Sequence, residues 1–500
     1  MPGAGPGHLP WFAPPPLSDS PQLPSPTQGN VLVVGAGLAG CTTAYELSRR
    51  GWKVTVLEQA PHAASAASNN RAAVLRPHIT REPTLASHFF IDGSQAMLKM
   101  LQRVDADRQP SDGTNLSMAK SDAMYGLPGV LQLLTNARKY PDSSCYEKLD
   151  PAKASYRAGI RLNSDTLFFA DAGWVNMALL CQTLLDQSEV QFFPNRRVLS
   201  LQQNEGSKFN EVKESSWKVR SCQHGSSKPT DEVRTDTYDK VVLASGLAIA
   251  ALAQTEALTL TPARGQTTFL SAPQSGLKSI LCGKQTVIPL NGGDNWQVGS
   301  TYQRHCLDSD VSDADDRENL AMLEQMLRQS TSPSGSGDGS ESAQSSSKPA
   351  SAPYSELTQS IHGSWAAIRA TTPDRLPVLG PLPDFAFFET EYRDLRHGRS
   401  IERYKPARYQ SGLYVNGGYG SRGLSVAAYC ATLLADVMER NTAQRRVAQG
   451  SAALGVITQA GATQTSASSA MTKDSQIMEL LHPARFLIRQ LRRDRTIEPD

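Results

Sequence analysis

Apolar and polar positions along the chain follow two periods. Val31-Leu32-Val33-Val34 is a run of β-formers, followed by Gly35-Ala36-Gly37-Leu38-Ala39-Gly40 and an amphipathic stretch through Ala44, Tyr45 and Leu47. After Gly51 a second short apolar run, Val54-Thr55-Val56-Leu57, ends in Glu58. Strand, glycine turn, helix and strand in this order predict a βαβ unit. Apolar spacings of three to four predict helices from Leu85 through Phe89, Phe90 and Met97 to Leu101, and from Met177 to Leu185. Strands are expected at Val190 to Phe193, Arg197 to Leu201 and Trp217 to Arg220, and from Val241 through Leu243 into the small residues Ala244, Ser245 and Gly246. A last strand, glycine loop and helix run from Gly412 through Leu424 toward Leu434 and Met438.

The first unit carries a chemistry. Gly35 permits the tight turn, Gly37 lets a pyrophosphate approach the backbone, and Gly40 lets the helix lie close on its strand. The unpaired N–H groups at the helix start then face the phosphates. Glu58, about twenty residues on, is placed to accept hydrogen bonds from an adenosine ribose. This pattern predicts a dinucleotide and does not choose between FAD and NAD. The later glycine loop offers a second helix start, which would stabilise negative charge on a reduced ring and is otherwise an ordinary strand-to-helix turn.

Composition narrows the class. Five hundred residues suffice for two domains with buried cores. Lys plus Arg (50) nearly equals Asp plus Glu (48), so a polyanionic partner would need a local patch. Seven cysteines, scattered singly without metal-type spacing, suit a reducing cytoplasm, and no metal site is expected. The longest apolar run, around Val241 to Ala253, is too short to cross a bilayer. The Pro-rich leader to residue 29 reads as a linker, Gln329 to Ala352 as a disordered insertion, and about Ala448 to Ala470 as another linker.

Two basic segments stay open. Ile368 to Gly380 holds Arg369, Asp374, Arg375 and two prolines, where an arginine fork would clamp a carboxylate or simply sit in a surface turn. Near the end, Arg485, Arg489, Arg492, Arg493 and Arg495 are interleaved with Phe486, Leu487, Ile488 and Leu491. That pattern fits a phosphate-binding helix as well as a helix docked by its apolar side.

In this order these segments resemble the D-amino-acid-oxidase-like family of FAD oxidoreductases, which includes glycine and sarcosine oxidases. Ala67 to Pro77, Thr261 to Gln266, Gly299 to Tyr302, Arg369 to Pro377 and Gly420 to Leu424 are most similar to its tRNA-modifying oxidase domains. The resemblance covers about Gly29 to Met438 and resumes at His482 to Arg485, and Pro10-Trp11-Phe12 matches the segment preceding such domains. It implies an α/β fold: a Rossmann-like FAD-binding domain of the two-dinucleotide, glycine-oxidase-like type, with an interleaved α+β substrate domain carrying an antiparallel sheet. The expected FAD-binding ranges are 30–89, 173–261 and 363–440. The expected substrate ranges are 90–172 and 262–362, and residues 441–500 form a linker and basic tail.

The implied reaction oxidises the carboxymethylaminomethyl group of a tRNA wobble uridine to aminomethyl and releases glyoxylate. Gly35, Gly37, Gly40 and Glu58 would bind the adenosine diphosphate part of FAD, and Val198 the adenine. Asn70, Arg71 and Ala73 would line the phosphate and ring side, Ser245 and Gly246 would return beside the cofactor, and Gly418, Gly420, Ser421, Arg422, Gly423 and Leu424 would face the ring. Arg369 would hold the substrate carboxylate with help from Tyr302. Only the short leader precedes Val31, so no methyltransferase half is expected in the chain, and a separate methyltransferase would act on the aminomethyl product. The alternatives are a small-molecule amine oxidase of the same fold, acting on glycine, sarcosine or a D-amino acid, and a non-catalytic flavin-binding scaffold.

Overall fold

The structure is a computed structural model that describes residues 9–12, 29–108, 123–134, 139–204, 216–224, 233–272, 275–331, 360–453 and 472–493. Asn30–Val34 lies within a six-stranded sheet, between Lys240–Leu243 and Lys53–Leu57. Tyr409–Gly417 and then Val378–Pro383 extend the sheet on one side, and Val190–Phe193 ends it on the other. All neighbours pair in parallel except Val378–Pro383, which runs antiparallel to Tyr409–Gly417. The central strands read as unbroken apolar runs because both faces are covered.

On one face, helices Leu38–Arg49, Leu85–Ala106, Met177–Asp186 and Ala427–Ala453 bury Leu47, Phe89, Phe90, Met97, Leu184 and Leu434 in a common core. On the other, a three-stranded antiparallel sheet, Arg196–Asn204, Ser216–Gln223 and Arg234–Tyr238, packs Trp217 and Val219 against Leu32, Val241 and Leu243. The helix from Leu85 begins with a reciprocal cap between Thr84 and Ser87 and buries its apolar stripe in this core as far as Val104. A domain boundary at residue 89 would cut that helix, so 90–106 packs with the six-stranded sheet rather than with the expected substrate region.

The second large sheet has nine strands and is mostly antiparallel. Its longest pairing joins Thr261–Ser271 to Ile361–Thr371, and Asn295–Gly299 lies on the other side of the first of these. Helix Asp313–Thr331 covers it through Leu320, Leu323 and Met326. Arg264 pairs with Asp315, while Asp316 accepts hydrogen bonds from Gln266, Thr268 and Ser364, at 2.8, 2.6 and 2.8 Å. These satisfied polar groups fix the helix on the sheet, since an unpaired one would cost about 1–3 kcal/mol. The helix continues to Thr331, past the expected start of the insertion at Gln329, and the rest of that range lies outside the described residues.

At the C-terminal end helices Lys473–Leu480 and Arg485–Arg493 dock on the body, one of the two arrangements left open for the basic segment. Arg485 is 2% exposed and donates to both carboxylate oxygens of Asp374 at 2.9 Å, and Arg489 reaches the same group at 2.9 Å. Arg492 stacks 4.9 Å from the ring centre of Trp11, which is buried with Tyr392 and Ile488. Three of the five arginines are therefore occupied with intramolecular partners, two on Asp374 and one on the Trp11 ring. Arg495 lies outside the described residues, as do 454–471 within the second expected linker. No described helix is long and apolar enough to cross a membrane, and the described residues contain no metal-type cluster of His, Cys, Asp or Glu. All seven cysteines are free.

Candidate functional site

A cavity of about 890 Å³ runs from the end of Asn30–Val34 to the face of the nine-stranded sheet. Its volume suits a ligand of cofactor size. At one end Gly35, with φ of 100°, turns the chain out of the first strand, a conformation that disfavours any side chain. A Cβ on Gly40 would collide with the Gly35 carbonyl, so only glycine lets the helix start this close to the strand. Gly37 and Leu38 face the cavity at that helix start, where first-turn N–H groups have no intrahelical partner. Ser68 Oγ accepts the Leu38 N–H at 2.9 Å.

Glu58 is held by two backbone donors: Ala36 N–H reaches Oε2 at 2.7 Å and Ala60 N–H reaches Oε1 at 2.9 Å. Each oxygen retains acceptor capacity, so a ribose hydroxyl can add to a carboxylate already fixed in place. Val198 lines the same end, beside a slip in strand register between Val198 and Ser200 that lets this stretch turn to the cavity. Ser245 and Gly246 line it from the end of Lys240–Leu243.

Toward the other end the walls are Asn70, Ala73, Gly418, Gly420, Ser421, Gly423 and Leu424. Gly420 N–H donates to Ala370 O at 2.8 Å, tying the glycine loop to the strand that carries Arg369. Gln297 donates to Asn70 Oδ1 at 3.3 Å and to Ala72 O at 2.9 Å, while its buried Oε1 has no protein partner. Such an acceptor in a cavity wall calls for a ligand donor or water. The fixed carboxylate, the open helix start and this unsatisfied acceptor together fit a bound FAD.

Arg369 closes the far end. Its side chain is part-buried in the cavity wall, and Nη2 donates to Ser300 Oγ at 2.7 Å. A Cβ on Gly265 would run into the guanidinium, so the side chain lies across a bare stretch of the neighbouring strand. Among the described residues no carboxylate pairs with it. Burial pushes its pKa below the ordinary arginine value, partly countered by the Tyr302 hydroxyl, yet the group remains a cation at neutral pH. The only carboxylate among the described lining residues is Glu58, at the opposite end.

Four residues expected at the site do not line the cavity. Gly40 lies behind the turn, in contact with Gly35. Arg71 is exposed and points away, since the adjoining Ala72 and Ala73 turn inward instead. Arg422 stacks on Phe90, 5.3 Å from the ring centre, while its neighbours Ser421 and Gly423 take the wall. Tyr302 is 44% exposed beyond the end of Asn295–Gly299, outside the cavity lining. Conversely, Ser68, Gln297 and Ser300 are lining or positioning groups that sequence reasoning did not single out. Ser68 and Ser300 stood inside segments that carried the family resemblance, without a role assigned to either, whereas Gln297 carried no signal.

A family profile described as FAD dependent oxidoreductase (DAO) matches residues 30–437. The chain is 30% identical over 445 residues to the tRNA 5-methylaminomethyl-2-thiouridine biosynthesis bifunctional protein MnmC of Pseudomonas savastanoi pv. phaseolicola, covering 86% of this chain and 58% of that protein. It is 29% identical to the protein of the same name from Chromobacterium violaceum over 99% of this chain and 63% of the relative. The chain thus spans about three fifths of the length of these relatives. Among solved structures, glycine oxidase from Geobacillus kaustophilus superposes with a TM-score of 0.56 at 18% identity, over 83% of this chain and 95% of that one. Iminodiacetate oxidase from Chelativorans sp. gives 0.54 at 17% identity, over 82% and 95%. These likenesses share the α/β FAD-binding fold with its second sheet. The match over most of the chain, on a cavity built to take the cofactor, places this protein in the DAO family of FAD-dependent oxidoreductases.

Proposed function

We propose that the chain oxidises the carboxymethylaminomethyl group of a tRNA wobble uridine, leaving an aminomethyl group and releasing glyoxylate, in the cytoplasm. The observation that carries this reading is Arg369: a part-buried cation facing the cavity, with no carboxylate partner among the described residues. A glycyl carboxylate supplies the missing charge through a two-point fork, and such charge-assisted pairs are about twice as strong as neutral ones. The likeness to tRNA 5-methylaminomethyl-2-thiouridine biosynthesis proteins supports the tRNA as carrier of that glycyl unit.

Bound FAD supplies the two-electron acceptor for oxidation of a CH–NH bond. The chain's residues position the rest. Arg369, held by Ser300, fixes the carboxylate and thereby the adjoining CH2. Gly418 to Leu424 wall the cavity beside it without bulky side chains, apart from Tyr419, whose hydroxyl is turned away to Asn416 at 2.7 Å. With no carboxylate base near Arg369, the substrate amine loses its proton to solvent before oxidation. Loss of two electrons and two protons converts CH2–NH to CH=N. Water then adds to that carbon, and C–N cleavage gives glyoxylate and the primary amine, an acceptor for a separate methyltransferase activity.

The test is a nucleoside digest of tRNA from a strain lacking this oxidase, after incubation with the purified yellow protein. Loss of the carboxymethylaminomethyl nucleoside and appearance of the aminomethyl one supports the reading. Unchanged nucleosides with peroxide formed from free glycine or sarcosine would instead establish a small-molecule amine oxidase, which the same Arg369 would serve.

A further inference from the structure

Just beyond the cavity wall, three guanidiniums without a carboxylate partner among the described residues gather with a neutral histidine. Ala73 and Val74 line the cavity, and two residues further on Arg76 and His78 lie outside it. Ser421 and Gly423 line it too, and Arg422 between them turns outward. The two segments are tied together, since Ser425 Oγ donates to the Arg76 carbonyl at 2.7 Å. His78 and Arg422 share one support: the His78 ring meets Phe90 edge-on at 5.5 Å, and Arg422 lies 5.3 Å from the centre of the same ring. Arg76 lies 5.8 Å from the Phe169 ring centre. Arg375, exposed in a turn with φ of 61°, is near enough for its charge to act on both His78 and Arg422.

Among the described residues none of these four pairs with a carboxylate. The nearest in sequence, Asp374, has both oxygens taken by Arg485 and Arg489. Arg76 and Arg422 are steadied instead by aromatic rings, which hold a guanidinium without neutralising it. Their mutual repulsion registers on each other. Burial and then Arg422, Arg76 and Arg375 push His78 down to about 4, and Arg422 is lowered by burial and then by Arg375 and Arg76. A protein that keeps like charges together at a cavity rim leaves a strong local field for an anion. Arginine forks match phosphate geometry in particular. The chain as a whole is nearly neutral, so this field belongs to the patch.

We propose that Arg76, His78, Arg375 and Arg422 form a phosphate-binding site that grips the nucleic-acid backbone beside the nucleotide whose modified base enters the cavity. This deepens, and rests on, the tRNA reading above. The base is recognised at Arg369 through its glycyl tail, while this rim site reads only backbone charge.

The test uses the full-length holoenzyme and an unmodified anticodon-arm RNA hairpin, with binding followed by fluorescence anisotropy across a salt series. The variant R76Q/R375Q removes two cations and keeps polar stems. Its affinity is expected to fall at least about tenfold, and the slope of log affinity against log salt to become shallower by about 1.4, at about 0.7 per phosphate contact on a single strand. R76K/R375K, which retains charge, should restore most of the slope. Unchanged affinity and slope in R76Q/R375Q, or equal loss in the lysine variant, would overturn the proposal. The nucleoside digest with unaltered enzyme judges the oxidase reading separately. Intact nucleosides there sink that reading, while the hairpin measurement still decides the rim site.

Discussion

Two arginines show how differently one side chain can be used. Arg485, in the C-terminal helix, is 2% exposed and carries its own anion, Asp374, with further bonds from its guanidinium to Leu376 O at 2.8 Å and Leu481 O at 3.1 Å. Arg369, on the long strand of the second sheet, is part-buried, but its partner is a single serine hydroxyl and it opens onto a cavity. The first is complete in the folded chain and ties two segments together. The second is incomplete until a ligand arrives, which makes it the better guide to function.

The comparison breaks most readily at Arg369. Arg369→Ala should lower kcat/KM for the glycyl substrate by about a thousandfold, or ~4 kcal/mol, as loss of a partner to a desolvated charge does. FAD content and melting temperature should stay the same or rise slightly, since a part-buried charge without a carboxylate partner among the described residues is removed. Lost flavin with normal turnover per bound flavin would show that Arg369 serves the cofactor instead.

Arg485→Ala should do the reverse. Of its two arginines Asp374 is left with Arg489 alone, and the Leu376 and Leu481 carbonyls lose a donor, at a cost of about 1–3 kcal/mol, read as a lower denaturation midpoint, with turnover per folded molecule unchanged. Asp374 itself is raised by burial but held below its usual value by Arg485 and Arg489, so the pair is a net attraction. Equal effects of Arg369→Ala and Arg485→Ala on stability would erase the distinction.

A comparable change sharpens it at a third charged residue. Glu58→Ala removes a carboxylate that is fixed by backbone donors and still has acceptor capacity toward the cavity. FAD should bind roughly 10- to 100-fold more weakly, in line with about 1.5–3 kcal/mol for hydrogen bonds to a charged group, measured by flavin fluorescence on dilution. Unaltered FAD affinity would remove Glu58 from the cofactor site.

A further effect appears only in acid. Burial, and then Arg485, pushes His482 down to about 3 from an ordinary 6.5. Its Nδ1 accepts the Ala484 N–H at 3.1 Å, which requires the neutral ring, and Nε2 meets Tyr409 Oη at 3.0 Å. The unfolded chain takes up this proton first as pH falls below 6.5, so stability declines from there toward pH 3, by at most about 1.4 kcal/mol per unit. His482→Gln should flatten that part of the stability curve between pH 6.5 and about 4. An unchanged slope would mean that other groups govern acid unfolding.

How much was legible in the sequence varied with the reach of the interaction. The unit from Val31 to Glu58 was readable because strand, turn and helix are local, and its glycines serve contacts within a few residues. The helices at Leu85 and Met177 followed from their apolar spacing. The extent of the core was not readable: nothing local shows that Leu85–Ala106 crosses the expected boundary at residue 89 to pack with Ala427–Ala453. Arg71 and Arg422 were placed at the cavity by motif, but a motif does not say which way a side chain turns. In both cases small neighbours take the wall and the long cation turns away from the cavity.

The sequence by itself determined the dinucleotide unit, the α/β character and a short set of candidate arginines, because periodicity and glycine spacing are properties of neighbours along the chain. Only the tertiary structure decided which arginine has its own anion. Arg485 meets Asp374 across 111 positions, and Arg369 meets Ser300 across 69. Charge pairing depends on where distant segments converge, and no local pattern records that distance.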